Sequence, residues 1–326
     1  MQSILGIDIS KDTFDVVLLS ENGKHHKVFD NNPKGFISLE KWLIASQAEQ
    51  VHACMEATGQ SGDGVAEYLY EWDLFVSVVN PVRIKHYGES KLHRNKNDKA
   101  SADLIAEFCQ KEKPAFWKPL NPETKHLRAL VRRLTDLKTN RQQEINRMKS
   151  GEKDTWVMND LQAHIDYLNH HIKATEKEIK EFVDQTPGLK SQHGLLASIP
   201  GIGDLTANIL LAEIGDISVF DGAPQLAAFA ELNPKNHRSG TSVHKKTRIS
   251  KQGRACLRHC LYMPAIVALS CNPVIQSLAE RLTERKKHKM EIVVAPMRKL
   301  LHLAYGVLRT QLPFDLNYEA QYNFSS

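Results

Sequence analysis

Along the first hundred positions, apolar residues recur with a period of two, then near 3.6, and the two patterns alternate. Ser3–Ile9 and Thr13–Ser20 are apolar, β-rich runs and read as strands. The tetrad Glu21-Asn22-Gly23-Lys24 carries an Asn-Gly hairpin signal, so His26–Phe29 returns as a third strand. A helical pattern over Phe36–Ile44 follows, then a short strand around Val51–Met55 and a helix over Val65–Trp72. A further strand, Leu74–Val79, is stopped by Asn80-Pro81. In the middle of the chain the pattern changes. Leu127, Leu130, Leu134 and Leu137 fall at spacings of three and four. After a polar break near Ser150-Gly151, Leu161, Ile165, Leu168, Ile172, Thr175, Ile179 and Phe182 continue the repeat. This heptad spacing predicts two long helices joined by a turn. They would form an antiparallel hairpin or a coiled-coil dimer arm, with oligomerisation preferred to a linker packed on its own chain. Beyond Pro187-Gly188 the chain reads as mostly helical, with one glycine- and proline-marked hairpin and one polar loop. The tail after Pro313 has no firm pattern.

A length of 326 residues suits about two domains, and the patterning divides it into 1–118, 119–187 and 188–326. Hydrophobic residues at 41% and charged residues at 25% are ordinary for a globular protein. No apolar run approaches the roughly 20 residues that span a bilayer. MQSILGIDIS reads as a strand rather than a signal peptide. The five cysteines contain no CxxC pair, which argues against a disulfide framework and for a reducing cytoplasm. Cys256 and Cys260 lie one helical turn apart beside His259, but with no fourth ligand nearby they read as buried helix residues rather than a metal site. The net charge of +5 is unevenly spread. From Leu232 to Cys260 the chain carries Lys235, Arg238, Lys245, Lys246, Arg248, Lys251, Arg254 and Arg258 and no Asp or Glu. Such a stretch suits neutralisation of a polyanion's phosphates. Three strands followed by alternating helices and strands is the order of a ribonuclease H-like α/β domain, an order that other mixed-sheet folds share.

Chemistry concentrates at a few places. Asp8 ends the apolar strand Ile4-Leu5-Gly6-Ile7, and Glu56 follows Val51-His52-Ala53-Cys54-Met55 where another strand stops. Asp98 begins a predicted helix, Asp98–Gln110. Carboxylates from three elements suit one or two hard divalent cations, which in phosphoryl transfer activate the attacking oxygen and stabilise the leaving one. Singly, Asp8 could begin a turn, Glu56 cap a helix and Asp98 serve as an N-cap. Their order along the chain favours the metal site. Leu195-Leu196-Ala197-Ser198-Ile199-Pro200-Gly201-Ile202-Gly203, leading into a helix over Asp204–Ile214, reads as a helix-hairpin-helix. Gly201 and Gly203 would let its backbone grip a DNA phosphate without reading sequence. The bland alternative is a structural turn. The loop Asn236–Lys246 then sets Ser239, Thr241 and Ser242 among cations, and its composition leaves open which of them attacks, or whether all only bind phosphate.

Together these residues resemble the DEDD transposases of the insertion-sequence family called IS-one-ten, whose relatives include Piv-type DNA invertases. The resemblance runs through Gly6-Ile7-Asp8, Glu56-Ala57-Thr58-Gly59, Arg94-Asn95-Lys96-Asn97-Asp98, Ala106-Glu107-Phe108-Cys109 and Ile199-Pro200-Gly201-Ile202-Gly203. It continues through Ala227-Ala228-Phe229-Ala230, Ser239-Gly240-Thr241-Ser242, Leu261-Tyr262-Met263-Pro264-Ala265, Met297-Arg298-Lys299-Leu300, Ala304-Tyr305-Gly306-Val307-Leu308 and Pro313-Phe314-Asp315. It implies a RuvC-like N-terminal domain, a coiled-coil arm and a mainly helical C-terminal transposase domain. It implies a homo-oligomer, a dimer or tetramer, acting on donor and target DNA with Mg²⁺ or Mn²⁺ and guided by a structured bridge RNA. Asp8, Glu56 and Asp98 fall on the first three family acids and Ser239 on the serine nucleophile, which forms a covalent phosphoserine intermediate. The nucleic-acid-binding set expected here is Gly201, Gly203, Arg238, Lys245, Lys246, Arg248 and Lys251. One position departs from the pattern. The fourth acid normally lies three residues after the third, and here that residue is Ser101. Asp103, five residues on, points away from Asp98 in a regular helix and would serve only if the helix begins late or is distorted; otherwise Ser101 or water completes the shell, or this copy is impaired. Three alternatives stand beside this reading: a metal-dependent junction resolvase, a sugar-kinase-like ATPase, and a non-catalytic RNA- or DNA-binding relative. The resolvase has no use for the heptads or the serine loop. Against the kinase, the chain carries no second phosphate-binding loop such as DxGxT and nothing resembling a Walker loop.

Overall fold

A computed structural model describes residues 3–57, 59–91, 98–151, 153–239, 243–249 and 255–315, with the backbone alone for 60, 234–239 and 243–248. The chain forms two compact units, Met1–Pro119 and Leu120–Ser326.

The first unit begins with an antiparallel meander, β1 (Ile4–Ile9), β2 (Thr13–Ser20) and β3 (Gly23–Asp30). Its β2–β3 turn places Gly23 at φ 108°, as the Asn-Gly signal requires. Helix α1 (Pro33–Ala45), strand β4 (His52–Glu56), helix α2 (Gln60–Glu71), strand β5 (Phe75–Val79) and helices α3 (Pro81–Ser90) and α4 (Asp98–Glu112) follow. The sheet order is β3-β2-β1-β4-β5, with β4 parallel to both β1 and β5. Strand β1 is apolar on both faces because both are covered. On one side Leu5, Ile7 and Val16 pack with Phe36 and Leu39 of α1 and Val65 and Leu69 of α2. On the other Ile4, Val17, Cys54 and Val79 pack with Ile84 of α3 and Ala102, Ile105 and Ala106 of α4. Helix α3 differs from the expectation, which treated Asn80-Pro81 only as a stop. The Asn80 side chain accepts a hydrogen bond from the Val82 amide and Pro81 takes the first turn, so the pair ends one element and starts the next.

In the second unit, α5 (Pro122–Lys149) and α6 (Thr155–Gln185) are the two long helices of the heptad pattern. Lys138–Glu176 at 2.8 Å, Arg141–Asn169 at 3.1 Å and His164–Glu144 at 3.2 Å run in opposite residue order, so the pair is an antiparallel hairpin. Leu127, Leu134, Leu137, Ile165, Leu168, Ile172 and Ile179 are buried as the spacing implies. Val131 and Val183 are buried where Leu130 and Phe182 were expected, and those two are half-buried. Helix α5 has a second partner that rotates its stripe, α8 (Asp204–Ile214). Arg128 Nε donates to the Ala212 carbonyl at 2.7 Å, and Arg132 Nε lies 3.2 Å from the buried Glu213 carboxylate. The hairpin thus belongs to the hydrophobic core of this unit. Helix α7 (Pro187–Ala197) precedes α8, and a 3₁₀ turn (Ile217–Val219) and α9 (Ala223–Phe229) come after it.

The expected polar loop contains a two-stranded antiparallel sheet, β6 (Pro234–Ser239) and β7 (Val243–Ile249), with a register irregularity between Lys235 and His237. Polar and basic residues fill these strands, so no apolar alternation marks them in the sequence. Helices α10 (Ala255–Cys271), α11 (Pro273–Glu284) and α12 (Lys289–Thr310) complete the fold. Cys54, Cys109, Cys256, Cys260 and Cys271 are all free thiols. Among the described residues no single helix is long and apolar enough to cross a membrane.

Candidate active site

Strand register places the first two acids. Ile7 of β1 pairs with Met55 of β4, so the next residues on these neighbouring parallel strands are Asp8 and Glu56, both half-buried. Side chains alternate along a strand, so Asp8 shares the face of Gly6. That face lies under α4. A Cβ built on Gly6 would stand 2.2 Å from the Ala102 carbonyl oxygen and 2.4 Å from the Ala106 nitrogen. Only hydrogen fits there, and α4 can therefore lie directly on β1. Its first turn carries Asp98, and one turn later Ser101 donates a hydrogen bond to the Asp8 carboxylate.

The electrostatics of Asp8 follow from this crowding. Its carboxyl is held above the usual aspartate range, first by burial and then by the negative charges of Asp98 and Asp15. The Ser101 hydroxyl and the Ile9 amide oppose the shift by hydrogen bonding the ionised form. Asp15 escaped the sequence reading as a site member, whereas Ser101 stood there as one choice for the fourth place. Asp15 sits on β2 directly opposite Asp8 in the antiparallel register, and its Oδ1 is 2.7 Å from Nε2 of His26 on β3. The available signal was a lone carboxylate inside the apolar run Phe14–Leu19.

The donor set suits a hard divalent cation, because clustered carboxylates supply oxygen ligands and their repulsion is what a cation relieves. Asp8, Glu56 and Asp98 are the residues that would hold it. As the side chains stand, no three His, Cys, Asp or Glu of the described residues converge as ready-made ligands, so the fit rests on donor chemistry and placement. Asp103 is not brought to this group. Five residues after Asp98 it lies about 140° round the helix, and its carboxylate forms an ion pair with Lys24 of β3.

In the second unit, Gly201 and Gly203 stand in the turn between α7 and α8 with different surroundings. Gly201 has φ 100°, and a Cβ there would meet the Ala268 Cβ of α10 at 2.7 Å. Asn272 donates to the Pro200 carbonyl at 3.0 Å and the Phe314 amide donates to Ser198 Oγ at 2.8 Å. This side of the hairpin is thus packed on its own chain. Gly203 meets nothing within 4 Å and is the open position, next to the highly exposed Asp204 at the start of α8. Ser239 ends β6 opposite Val243, and Arg238 pairs with His244. Lys245, Lys246 and Arg248 lie on β7. Thr241, Ser242, Lys251 and the stretch 94–97 fall outside the described residues.

Comparison with known proteins places both units. Residues 5–151 match a family model described as a transposase, and residues 193–280 match the model for the transposase IS116/IS110/IS902 family. Over 317 residues the chain is 36% identical to the pilin gene-inverting protein of Moraxella lacunata, covering 96% of this chain and 98% of that one. The chain belongs to the IS110 family of transposases. The transposase is also 26% identical to the transposase for insertion sequence element IS1111A of Coxiella burnetii, across 79% of this chain and 75% of its relative. Membership makes it an enzyme that cleaves and rejoins DNA strands. Among solved structures, Thermus thermophilus RuvC bound to a Holliday junction substrate aligns with 36% of this chain and 99% of its own length. That alignment has 13% identity and a TM-score of 0.28, too loose a likeness to argue from.

Proposed function

We propose that this transposase cuts and rejoins donor and target DNA with two chemical centres, a ribonuclease H-like carboxylate site and a serine nucleophile, guided by a structured bridge RNA. The observation that carries the first centre is the crowding of Asp8 on β1 against Asp98 and Ser101 of α4, with Glu56 next in register on β4. The β3-β2-β1-β4-β5 order supports the ribonuclease H-like reading, in which acids at strand ends face one edge of the sheet. A divalent cation, Mg²⁺ or Mn²⁺, would activate the attacking oxygen and stabilise the leaving one when bound there. Asp8, raised by its surroundings, must be ionised to serve as a ligand, and the Ser101 hydroxyl favours that state.

Ser239 is the nucleophile in this reading. Its Oγ bonds to a DNA phosphorus as the bond from phosphorus to a deoxyribose oxygen breaks. The serine proton is lost and the departing oxygen gains one, which leaves a phosphoserine ester. Attack by a hydroxyl of the exchanged strand on the same phosphorus frees the serine and rejoins DNA. Arg238, Lys245, Lys246, Arg248 and Lys251 neutralise phosphates, and the open turn at Gly203 offers amides to the backbone. The exposed residues of the α5–α6 hairpin, such as Trp156 and Tyr167, leave surface for a second copy, consistent with a homo-oligomer.

If a guide RNA supplies specificity by base pairing, the protein reads shape and backbone. Recombination of labelled donor and target DNA, run with and without RNA from the element's flank, tests this. Loss of specific products without RNA, with salt-sensitive DNA binding retained, is the expected outcome. Equal sequence preference in both conditions would overturn it.

A further inference from the structure

We propose that Phe116, stacked on Phe75 and flanked by Lys111, Lys113 and Lys118, is a platform for an unpaired base of single-stranded DNA. The inference rests on the chain being an enzyme that cleaves and rejoins DNA strands, and on neither of its two proposed chemical centres.

The segment after α4 runs along the free edge of the five-stranded sheet, where β5 is the last strand. The Trp117 amide donates to the Val76 carbonyl at 2.7 Å. Ser77 Oγ lies 3.1 Å from the Pro114 carbonyl oxygen and 2.9 Å from that of Ala115. The segment is thereby tied to β5 as a short extra strand would be, and its side chains alternate in the same way. Trp117 packs on the core cluster that holds α1 and α2. Phe116 falls on the opposite side with His52 and Phe75, which pair in register at the starts of β4 and β5.

The Phe116 ring lies 4.9 Å from that of Phe75 with the planes 25° apart, and 5.2 Å from that of His52 at 73°. It covers His52, which is 4% exposed, after α4 has ended at Glu112. Covering His52 engages only the inner side of the pair, since Phe116 remains 59% exposed and Phe75 45%. Any apolar side chain could serve as a lid. Two near-parallel rings with an open outer face offer what a nucleic-acid base stacks upon. The rim supplies the matching charge. Residues 111–118 carry three lysines, all exposed, against the single acid Glu112. Lysine is depleted where proteins meet proteins, whereas aromatics set among cations are how single strands are held. Exchange of DNA strands leaves bases unpaired in passing, which makes single-stranded DNA the occupant. His52 and Glu56 stand at opposite ends of β4, about 13 Å apart along the strand. The platform therefore holds a strand at a distance from the carboxylates.

The test is binding of short fluorescent thymidine oligonucleotides by the full-length protein in EDTA, without RNA, so that the carboxylate and serine readings do not enter. An oligomer of abasic sites of equal length keeps the phosphates and lacks the bases. Wild type should bind the thymidine oligomer at least about fivefold more tightly than the abasic one. Phe116→Leu, which keeps an apolar lid, should abolish that preference, and Phe116→Trp should keep or increase it. Lys113→Gln and Lys118→Gln should each lower the slope of log affinity against log salt by about 0.7 and leave the base preference in place. A base preference that survives in Phe116→Leu would overturn the proposal, as would its loss in a folded Phe116→Trp protein. A change of oligomeric state in Phe116→Leu with unaltered DNA binding would assign the face to a second copy instead. A Phe116-dependent preference seen only with uridine RNA oligomers would overturn the assignment to DNA.

Discussion

Replacing Gly6 with alanine probes how closely α4 must lie on β1. The added Cβ would stand 2.2 Å from the Ala102 carbonyl oxygen, 2.4 Å from the Ala106 nitrogen and 2.7 Å from the Ala106 Cβ. Ordinary contact begins at 3.4 Å, so α4 must retreat by 3.4 − 2.2, or 1.2 Å. Two of the three obstacles are backbone, which leaves no side chain to swing aside. Overpacking of this kind costs about 1–3 kcal/mol, and the rigid neighbours place Gly6→Ala toward the upper end. With a urea slope of about 1–3 kcal/mol/M for a domain of this size, the midpoint should fall by about 1 M. Tryptophan fluorescence reports the right unit, since Trp42, Trp72 and Trp117 pack on the first unit's core while Trp156 is 73% exposed. The same retreat carries Ser101 and Asp98 away from Asp8. A displacement near 1 Å costs on the order of 100-fold in rate for positioned chemistry, so DNA cleavage should fall further than stability accounts for. Gly203→Ala is the control, with nothing within 4 Å of its Cβ and no change expected in the urea midpoint. A Gly6→Ala protein with wild-type midpoint and cleavage within threefold would refute the close packing of α4 on β1.

Three further outcomes follow from the same contacts. Asp8→Asn removes a carboxyl whose folded pKa lies above the unfolded value of 3.8, so the folded state binds its proton more tightly. The native aspartate lowers stability as pH rises through the folded pKa, and the penalty is absent below 3.8. In EDTA, Asp8→Asn should therefore be more stable than wild type at pH 7, with the gain vanishing on acidification; a gain that grew at low pH would contradict the burial of Asp8. Ser101→Ala deletes the hydrogen bond that favours ionised Asp8, so the acid limb of a cleavage pH profile should move to higher pH; an unmoved limb would remove Ser101 from the site. Arg132→Met takes an ion-pair partner from Glu213, whose side chain is 2% exposed, and should destabilise the second unit by about 1–3 kcal/mol in a helical circular dichroism melt. No loss would show that the Arg132–Glu213 pair contributes nothing to the hold of α5 on α8.

Much of the first unit was legible because its strands alternate or run apolar and its turns carry their own chemistry. Thr13–Ser20 and Asp204–Ile214 match their elements end for end, and Asp8 and Glu56 stand out as charges where apolar strands stop. The misses have physical causes. Helix α3 has little apolar periodicity and begins at a proline that also reads as a stop. Strands β6 and β7 are polar and basic on every position but a few, so their pairing leaves no trace in hydropathy. Asp15 joins the site through strand register, a long-range property that spacing along the chain does not encode. The sequence favoured Gly201 as a phosphate grip over a packing glycine, and its approach to Ala268 was visible only once α10 was in place.

The most direct measurement is the search for a covalent protein–DNA adduct. The purified transposase would be incubated with the element's flanking RNA, labelled donor and target DNA, and Mg²⁺, and resolved under denaturing conditions as wild type, Ser239→Ala and Asp8→Ala. An adduct in the wild type that is lost in both variants is the expected result, and it would join the serine and the carboxylates in one reaction. Nicked DNA that depends on Asp8 but never carries protein would contradict the serine mechanism and leave a metal-dependent nuclease, with Ser239 reduced to phosphate binding.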